Sequence, residues 1–222
     1  MNDVQAKVNS IVEQRAMFSN VSNTYLAVKR AFDITASITG IVFLLPLWLL
    51  VILIIRLDSP GPVFFKQERN GYKGKLFTMY KFRSMVPDAE QGLKLLEDKN
   101  EASGNMFKIR MDPRVTRFGR LIRKTSIDEF PQLLNVLKGD MSIVGPRPPI
   151  PREVVKYDAW HNLRLSVRPG LTGLWQIRGR NCLGFEDMVR LDLKYIRERS
   201  LTYDLKIILK TIPVLLGDSK AY

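Results

Sequence analysis

Twenty-two consecutive residues, Ile34 to Ile55, carry no charge. A helix of that length would reach ~33 Å, enough to cross the hydrocarbon core of a bilayer. Uncharged runs this long are rare in the core helices of water-soluble proteins, so the segment is read as membrane-inserted. Pro46 sits near its middle. Proline there removes one helical hydrogen bond and crowds the preceding turn. Two arrangements follow: a kinked spanning helix, or a helix that bends at Pro46 and returns to the face it entered. Lys29 and Arg30 precede the run, and Arg56, Lys66, Arg69, Lys73 and Lys75 follow it. Basic flanks on both sides set no orientation. Local physics alone favours spanning over re-entry.

The rest of the chain is basic. Its 222 residues hold 35 Lys and Arg against 22 Asp and Glu, a net charge of +13. Residues 56–222 hold 31 basic and 19 acidic side chains, a net of +12. Such a surface seeks a polyanion: nucleic acid, an anionic bilayer or a phosphorylated substrate. A single cysteine, Cys182, excludes an intrachain disulfide and a Cys-based zinc site. A single histidine, His161, excludes a multi-His metal centre. No P-loop, dinucleotide-binding glycine motif or nucleophile elbow occurs. The length suits one substantial domain, or one domain plus an anchor.

Residues 1–28 have Val4, Val8, Ile11 and Val12 at helical spacing, which predicts a short amphipathic helix, and lack the pattern of a secretory signal. Two aromatic and β-branched runs, Pro62–Gln67 and Lys75–Arg83, flank Asn70-Gly71-Tyr72-Lys73-Gly74 and predict a hairpin. Residues 87–107 read as polar surface helix and loop. A helix is expected over Pro113–Lys124, capped by Asp112, and another over Ile127–Lys138, ended by Gly139. Ser142–Gly145 reads as a strand, Arg152–Leu165 as a helix, and Leu171–Ile177 as a strand. Helices at Glu186–Arg199 and Tyr203–Leu216 close the chain. In the last, Leu205, Ile208, Leu209, Ile212 and Leu216 share one face, which suits either core packing or a helix lying in the membrane interface. Trp175 suits either core packing or stacking on a base; Trp48 and Trp160 read as packing or anchoring residues, and His161 and Cys182 as structural or inert.

The densest chemistry lies between Lys108 and Arg147. Seven basic residues and one acid, Asp112, fill Lys108–Lys124. Two adjacent carboxylates follow, Asp128 and Glu129. Ser126-Ile127-Asp128-Glu129 matches a capping box, in which serine caps a helix and glutamate reaches back. The same residues also suit phosphoryl chemistry. A helix N-terminus favours phosphate and an ionised carboxylate. An ionised Asp can attack phosphorus once arginines and a divalent cation screen the repulsion. One Asp-Glu pair suffices for Mg²⁺, which takes one or two carboxylates plus substrate phosphates.

Longer motifs surround this pair: Lys29-Arg30-Ala31-Phe32-Asp33, Tyr80-Lys81-Phe82-Arg83-Ser84-Met85, Thr125–Gln132, Leu137–Pro148 and Arg168-Pro169-Gly170-Leu171-Thr172-Gly173-Leu174-Trp175-Gln176. With the proline-broken apolar segment, they make residues 27–222 resemble the bacterial sugar transferase family, the monotopic polyprenyl-phosphate phosphoglycosyl transferases. The resemblance implies a mostly helical α+β fold with a re-entrant helix bent at Leu45-Pro46 and interfacial amphipathic helices. It implies an N-terminal extension at 1–26, a membrane helix at 27–57 and a cytoplasmic-face catalytic domain at 58–222. With few residues before the match, a minimal catalytic form is expected. Relatives often carry serine before the bend proline; Leu45 cannot repeat its hydrogen bond.

The implied reaction moves a phosphosugar from a UDP-sugar to undecaprenyl phosphate at the inner (cytoplasmic) membrane of a bacterium, releasing UMP, as the first membrane step of a surface glycan. By resemblance, Asp128 is the nucleophile that forms an aspartyl-phosphosugar, and Glu129, with Asp128, holds Mg²⁺. Arg123 and Arg147 would contact phosphates. Lys81, Arg83, Arg168 and Gln176 would line the substrate region, with Arg178 and Arg180 weaker candidates. The partners implied are a UDP-sugar, undecaprenyl phosphate and an anionic phospholipid bilayer, with no nucleic acid. Oligomeric state is open, and glucose, galactose and N-acetylated donors all fit. Two rivals are a non-catalytic basic membrane adaptor and a direct-displacement transferase in which Asp128 only binds metal.

Overall fold

The computed structural model describes residues 21–87, 89, 92, 109, 111–179 and 183–215. The expected helix near residue 8, most of the polar 87–107 stretch, and Arg180, Cys182 and Leu216 lie outside them. Helix α1, Asn23–Asp58, contains the whole uncharged run. Ser22 caps it by accepting from the Thr24 amide, and the Ser59 amide closes onto the Ile55 carbonyl. The helix continues through Pro46 as a single element.

One stripe of α1 is covered along its length. Asp33, Ser37, Trp48, Val51 and Ile55 are buried, Gly40 abuts Leu133, and Ile41 and Leu44 join the core. The opposite side exposes Phe32, Ile38, Val42, Phe43, Leu49, Leu53 and Leu57. Polar residues secure the N-terminal half. Lys29 pairs with Asp204 at 2.8 Å. Arg30 donates to the Val136 and Leu137 carbonyls, and Asp33 accepts from the Ile143 amide. The Lys-Arg-Ala-Phe-Asp motif is thus a set of struts between α1 and the rest of the molecule.

Strands β1, Phe64–Asn70, and β2, Leu76–Phe82, form the antiparallel hairpin, in register from Phe64↔Phe82 to Asn70↔Leu76. Positive φ falls on Lys73 and Gly74. The aromatic end of the hairpin packs on α1: Phe82 meets Trp48 edge-on at 5.6 Å and stacks on Phe64 at 5.5 Å. Trp48 is therefore a core residue.

Helix α2 is Arg117–Lys124, four residues shorter than expected at its start. Thr116 caps it by accepting from the Gly119 amide at 2.9 Å. Asp112 instead grips Arg114, with contacts of 2.9 and 2.6 Å to its guanidinium. Phe118 and Ile122 face the α1 core as their spacing predicts.

The expected helix Ile127–Lys138 divides into a 3-10 helix, Ile127–Gln132, and α3, Leu133–Lys138. Pro131 has no N–H for the α-helical bond to Ile127, so the tighter turn persists until the proline is passed. Gly139, at φ 88°, ends α3.

Short parallel strands β3, Ser142–Val144, and β4, Gly170–Thr172, pair next. Strand β4 stops well before the expected Ile177. A Cβ on Gly170 would lie 2.0 Å from the Gly145 nitrogen, so the two glycine-bearing motifs cross backbone on backbone. The helix expected over Arg152–Leu165 is two pieces, α4 at Pro151–Val154 and a 3-10 helix at His161–Ser166. Between them His161 Nδ1 accepts from the Asp158 amide, a side-chain bond that competes with helix continuation. Helices α5, Phe185–Glu198, and α6, Leu201–Leu215, complete the fold. Trp175 packs on Phe185, Met188 and Val189, the core alternative. In α6, Ile207 is buried and Ile208 half-buried in the core, while Leu205, Leu209 and Ile212 are exposed. The apolar stripe is split between core and surface.

Candidate active site

Asp128 and Glu129 lie in the first turn of the 3-10 helix that follows α2. The link is Ser126, a non-glycine residue at φ 55°, a costly left-handed conformation held by its surroundings. Its side chain makes no capping bond, so the capping box expected there does not form. The pair is presented by a sharp corner instead of a capped helix end.

Asp128 is buried, at 8% exposure. Burial pushes its carboxyl up to about 6, and Glu129 adds to the rise, while Lys81 and Arg123 oppose it. The direction corrects the expectation that the helix terminus alone would favour the carboxylate. Two neighbouring cations limit the cost of burial, and at neutral pH the ionised form still predominates. Glu129 is more open and pairs with Lys81 at 2.7 Å.

Lys81 reaches this position because β2 is stitched to α3. The buried Asn135 amide donates to the Thr78 carbonyl at 2.7 Å and its oxygen accepts from the Tyr80 amide at 3.0 Å. Asn135 thus replaces a strand partner on β2, satisfying backbone groups that burial would otherwise orphan. Nothing in its local sequence marks this role.

Arg147 lies in the turn after β3. Its guanidinium meets Glu153 at 3.2 Å and stays partly exposed. The turn is held from below. Arg69 donates to the Pro148 carbonyl at 2.9 Å. The fully buried Arg164 donates to the Arg147 carbonyl at 3.2 Å, to Tyr157 at 2.9 Å and to Asp192. Buried Arg69 feels both Arg147 and Glu129, so the carboxylate pair and this turn are electrostatic neighbours.

The other candidates bond backbone groups. Arg83 is buried and bonds the carbonyls of Ile55, Ser59 and Pro60 and the Ser59 hydroxyl, capping the C-terminal end of α1. Exposed Arg168 donates to the Gly139 carbonyl, and Gln176 donates to Leu171 O at 3.2 Å. These bonds secure backbone; neither side chain contacts the Asp128 corner through them. Arg178 is exposed, in keeping with a solvated surface charge. His161 is buried against Tyr157, Trp160 and Phe185, a packing residue as expected. A cavity of ≈ 470 Å³ near the start of α1, lined by residues such as Tyr25 and Arg199, shares no residue with the site.

A buried aspartate beside a lysine-paired glutamate, on a corner fed by a basic helix, has the parts for phosphoryl transfer. Comparison with known proteins identifies the class. Residues 24–218 match the family model for bacterial sugar transferases. The chain is 50% identical over 194 residues to the galactosyl transferase CpsE of Streptococcus agalactiae, covering 87% of this chain and 43% of that protein. It is 41% identical to the exopolysaccharide production protein ExoY of Sinorhizobium fredii, covering 87% of this chain and 88% of that one. It is 43% identical to the undecaprenyl-phosphate galactose phosphotransferase of Salmonella typhimurium, covering 88% and 42% respectively. The chain thus spans less than half of two of these relatives and most of the third. It belongs to the bacterial sugar transferase family.

Proposed function

We propose that this chain is a phosphoglycosyl transferase that moves a phosphosugar from a UDP-sugar to undecaprenyl phosphate, as an early step in making a bacterial exopolysaccharide or other surface glycan. The observation that carries the reading is the Asp128 corner: a buried carboxylate, lifted toward neutrality, with Lys81 and Arg123 beside it.

An Asp128 carboxylate oxygen attacks the β-phosphorus of the donor. The bond from that phosphorus to the bridging oxygen breaks, and UMP leaves with the electron pair. An oxygen of the polyprenyl phosphate then attacks the aspartyl-phosphosugar. That step restores the carboxylate and yields the diphosphate-linked sugar. Burial removes water that would compete in the second step and strengthens the field of the nearby cations. Lys81 holds Glu129 at its side, and Arg147 offers a partly exposed guanidinium to donor phosphate.

The donor set fits Mg²⁺. Asp128 and Glu129 are adjacent hard oxygen ligands, and among the described residues no group of three or more His, Cys, Asp or Glu could hold a metal by itself, so substrate phosphates would complete the shell. Bound there, Mg²⁺ supplies charge neutralisation.

The membrane reading is re-entrant in topology: both ends of α1 lie on the cytoplasmic face of the inner membrane. Two observations support it. From Lys29 to Ile55, ~39 Å of helix at 1.5 Å per residue, α1 is bonded to or packed on the charged catalytic body, which cannot enter hydrocarbon. The face left exposed is leucine-, valine- and phenylalanine-rich. The exposed Leu205, Leu209 and Ile212 of α6 give a second surface suited to the interface.

The test is release of UMP across a panel of UDP-sugars, with and without undecaprenyl phosphate. Wild-type protein is expected to release about one equivalent of UMP without acceptor. Asp128→Asn and Asp128→Ala are expected to release none. Normal turnover in either variant would sink the covalent mechanism.

A further inference from the structure

The Pro146-Arg147-Pro148-Pro149 turn has little with which to hold itself, because three of its four residues are prolines and lack an N–H. Its backbone is held from outside instead, at every residue. The Pro146 carbonyl accepts from the Gly170 amide of β4 at 2.8 Å, and the Pro149 carbonyl from the Asn70 amide of β1 at 2.9 Å. Between them, the Arg147 carbonyl accepts from Arg164 at 3.2 Å and the Pro148 carbonyl from Arg69 at 2.9 Å. Two of these four donors are buried guanidiniums, Arg69 at 8% and Arg164 at 1% exposure. Burying a cation is costly unless it is paired. Arg164 has Asp192 as its ion pair. Arg69 instead gives its two Nη groups to neutral oxygens, the Pro148 carbonyl and the Gln67 amide. What this cost maintains is the place of one side chain. Of the three arginines, only Arg147 stays partly open, with its side chain 28% exposed beside Glu153.

Arg69 also ties the turn to the strand pair that carries Lys81. In the hairpin, Arg69 lies opposite Phe77, Gln67 opposite Met79 and Phe65 opposite Lys81. Alternate residues along a strand and partners across an antiparallel pair share a face. Arg69 and Lys81 therefore stand on one face of the hairpin, four positions apart along β1, roughly 13 Å. One end of that row grips Pro148, and the other meets Glu129 at 2.7 Å. The hairpin thus sets the separation between the Arg147 turn and the Asp128 corner.

We propose that Arg69 and Arg164 are positioning residues: they hold the Arg147 guanidinium where it meets the phosphates of the UDP-sugar, and they act on the donor through Arg147 alone. The proposal rests on the transferase reading above and deepens it. A guanidinium set in place before the donor arrives needs no reorganisation when the diphosphate binds.

The test is a double-mutant cycle on the full chain: Arg69→Met, Arg147→Gln and the two together. Three quantities are measured: the UDP-sugar concentration at half-maximal UMP burst rate without acceptor, the burst amplitude, and the acceptor KM. Each single variant is expected to raise the half-saturating concentration about tenfold, the worth of one charge-assisted hydrogen bond. The double variant should raise it no further, and burst amplitude and acceptor KM should keep their wild-type values. Arg164→Lys keeps the charge beside Asp192 but loses the fork of donors, and should move half-saturation in the same direction. Should Arg69→Met not fold, Arg164→Lys takes its place in the cycle. A double variant near a hundredfold would mean that the buried arginine acts apart from Arg147, and would overturn the proposal. So would a smaller burst at unchanged half-saturation, the mark of a merely structural role, or a raised acceptor KM. A wild-type protein with no burst on any UDP-sugar would instead remove the transferase mechanism itself.

Discussion

Burial at Asp128 sets a pH dependence that can be read in activity and in stability. The carboxyl sits near 6, above its ordinary 3.8, with burial the largest cause. Attack as proposed needs the carboxylate, so the rate of UMP release should fall as pH drops through about 6. Lys81 opposes the rise. Lys81→Met should therefore move that acid limb to higher pH, and an unmoved limb would assign it to another group. The stability effect has the opposite sign to that of a salt-bridged aspartate. A folded pKa above the unfolded one means that the native state binds the proton more tightly. This contribution is full below about 4 and is lost as pH rises through about 6. Thermal unfolding of Asp128→Asn should thus occur at a higher temperature than wild type at pH 7, the difference vanishing near pH 4. In the proposed mechanism, stability is given up at the residue that does the chemistry.

Among the elements, α2 depends most on a single atom. A Cβ on Gly119 would stand 2.0 Å from the Ser84 carbonyl, a backbone group that cannot swing aside. Alanine normally favours a helix over glycine by ~1 kcal/mol. Here overpacking outweighs that gain, and Gly119→Ala is expected to cost about 1–3 kcal/mol, read as a lower unfolding midpoint. A raised midpoint would mean that α2 is not pinned to the β2 exit. Several elements were legible locally. Aromatic and β-branched runs around the Asn-Gly turn predicted the hairpin, and Gly139 marked the end of α3. Others were misread because a distant or side-chain bond competed with the local pattern. Asp112 fits a cap by position, yet Arg114 takes its carboxylate. His161 interrupts a helix that periodicity would continue.

At the scale of the whole molecule, the chain is organised by what α1 touches. Asp204 gathers Tyr25 and Lys29 of α1 with Tyr195 of α5, whose hydroxyl also lies 3.0 Å from the Val144 carbonyl just before the Arg147 turn. Helices α1, α5 and α6 and the backbone leading into the Arg147 turn therefore share one polar joint. The topology gives a direct prediction. With Cys182→Ser as background, Thr24→Cys and Asp58→Cys should both react with a membrane-impermeant thiol reagent from the cytoplasmic side only. Labelling from opposite sides would rule out the re-entrant arrangement.

The sequence by itself determined that one long uncharged helix is apolar enough to enter a membrane, that a basic body follows, and that Asp128 and Glu129 are the carboxylates to watch. These properties are local: they depend on runs of apolar residues, on charge counts and on contiguous motifs. Only the tertiary structure decided which cations face Asp128. Lys81 stands beside it, while Arg83 and Arg168 look equivalent in sequence and serve to cap backbone carbonyls. It also decided that burial raises Asp128, that Asn135 and Arg164 hold the site's edges, and that the apolar helix lies along the body. Each of these rests on contacts between residues far apart in the chain. A guanidinium's role is set by the acceptors that folding brings within about 3 Å of it, and a linear string of residues does not contain that distance.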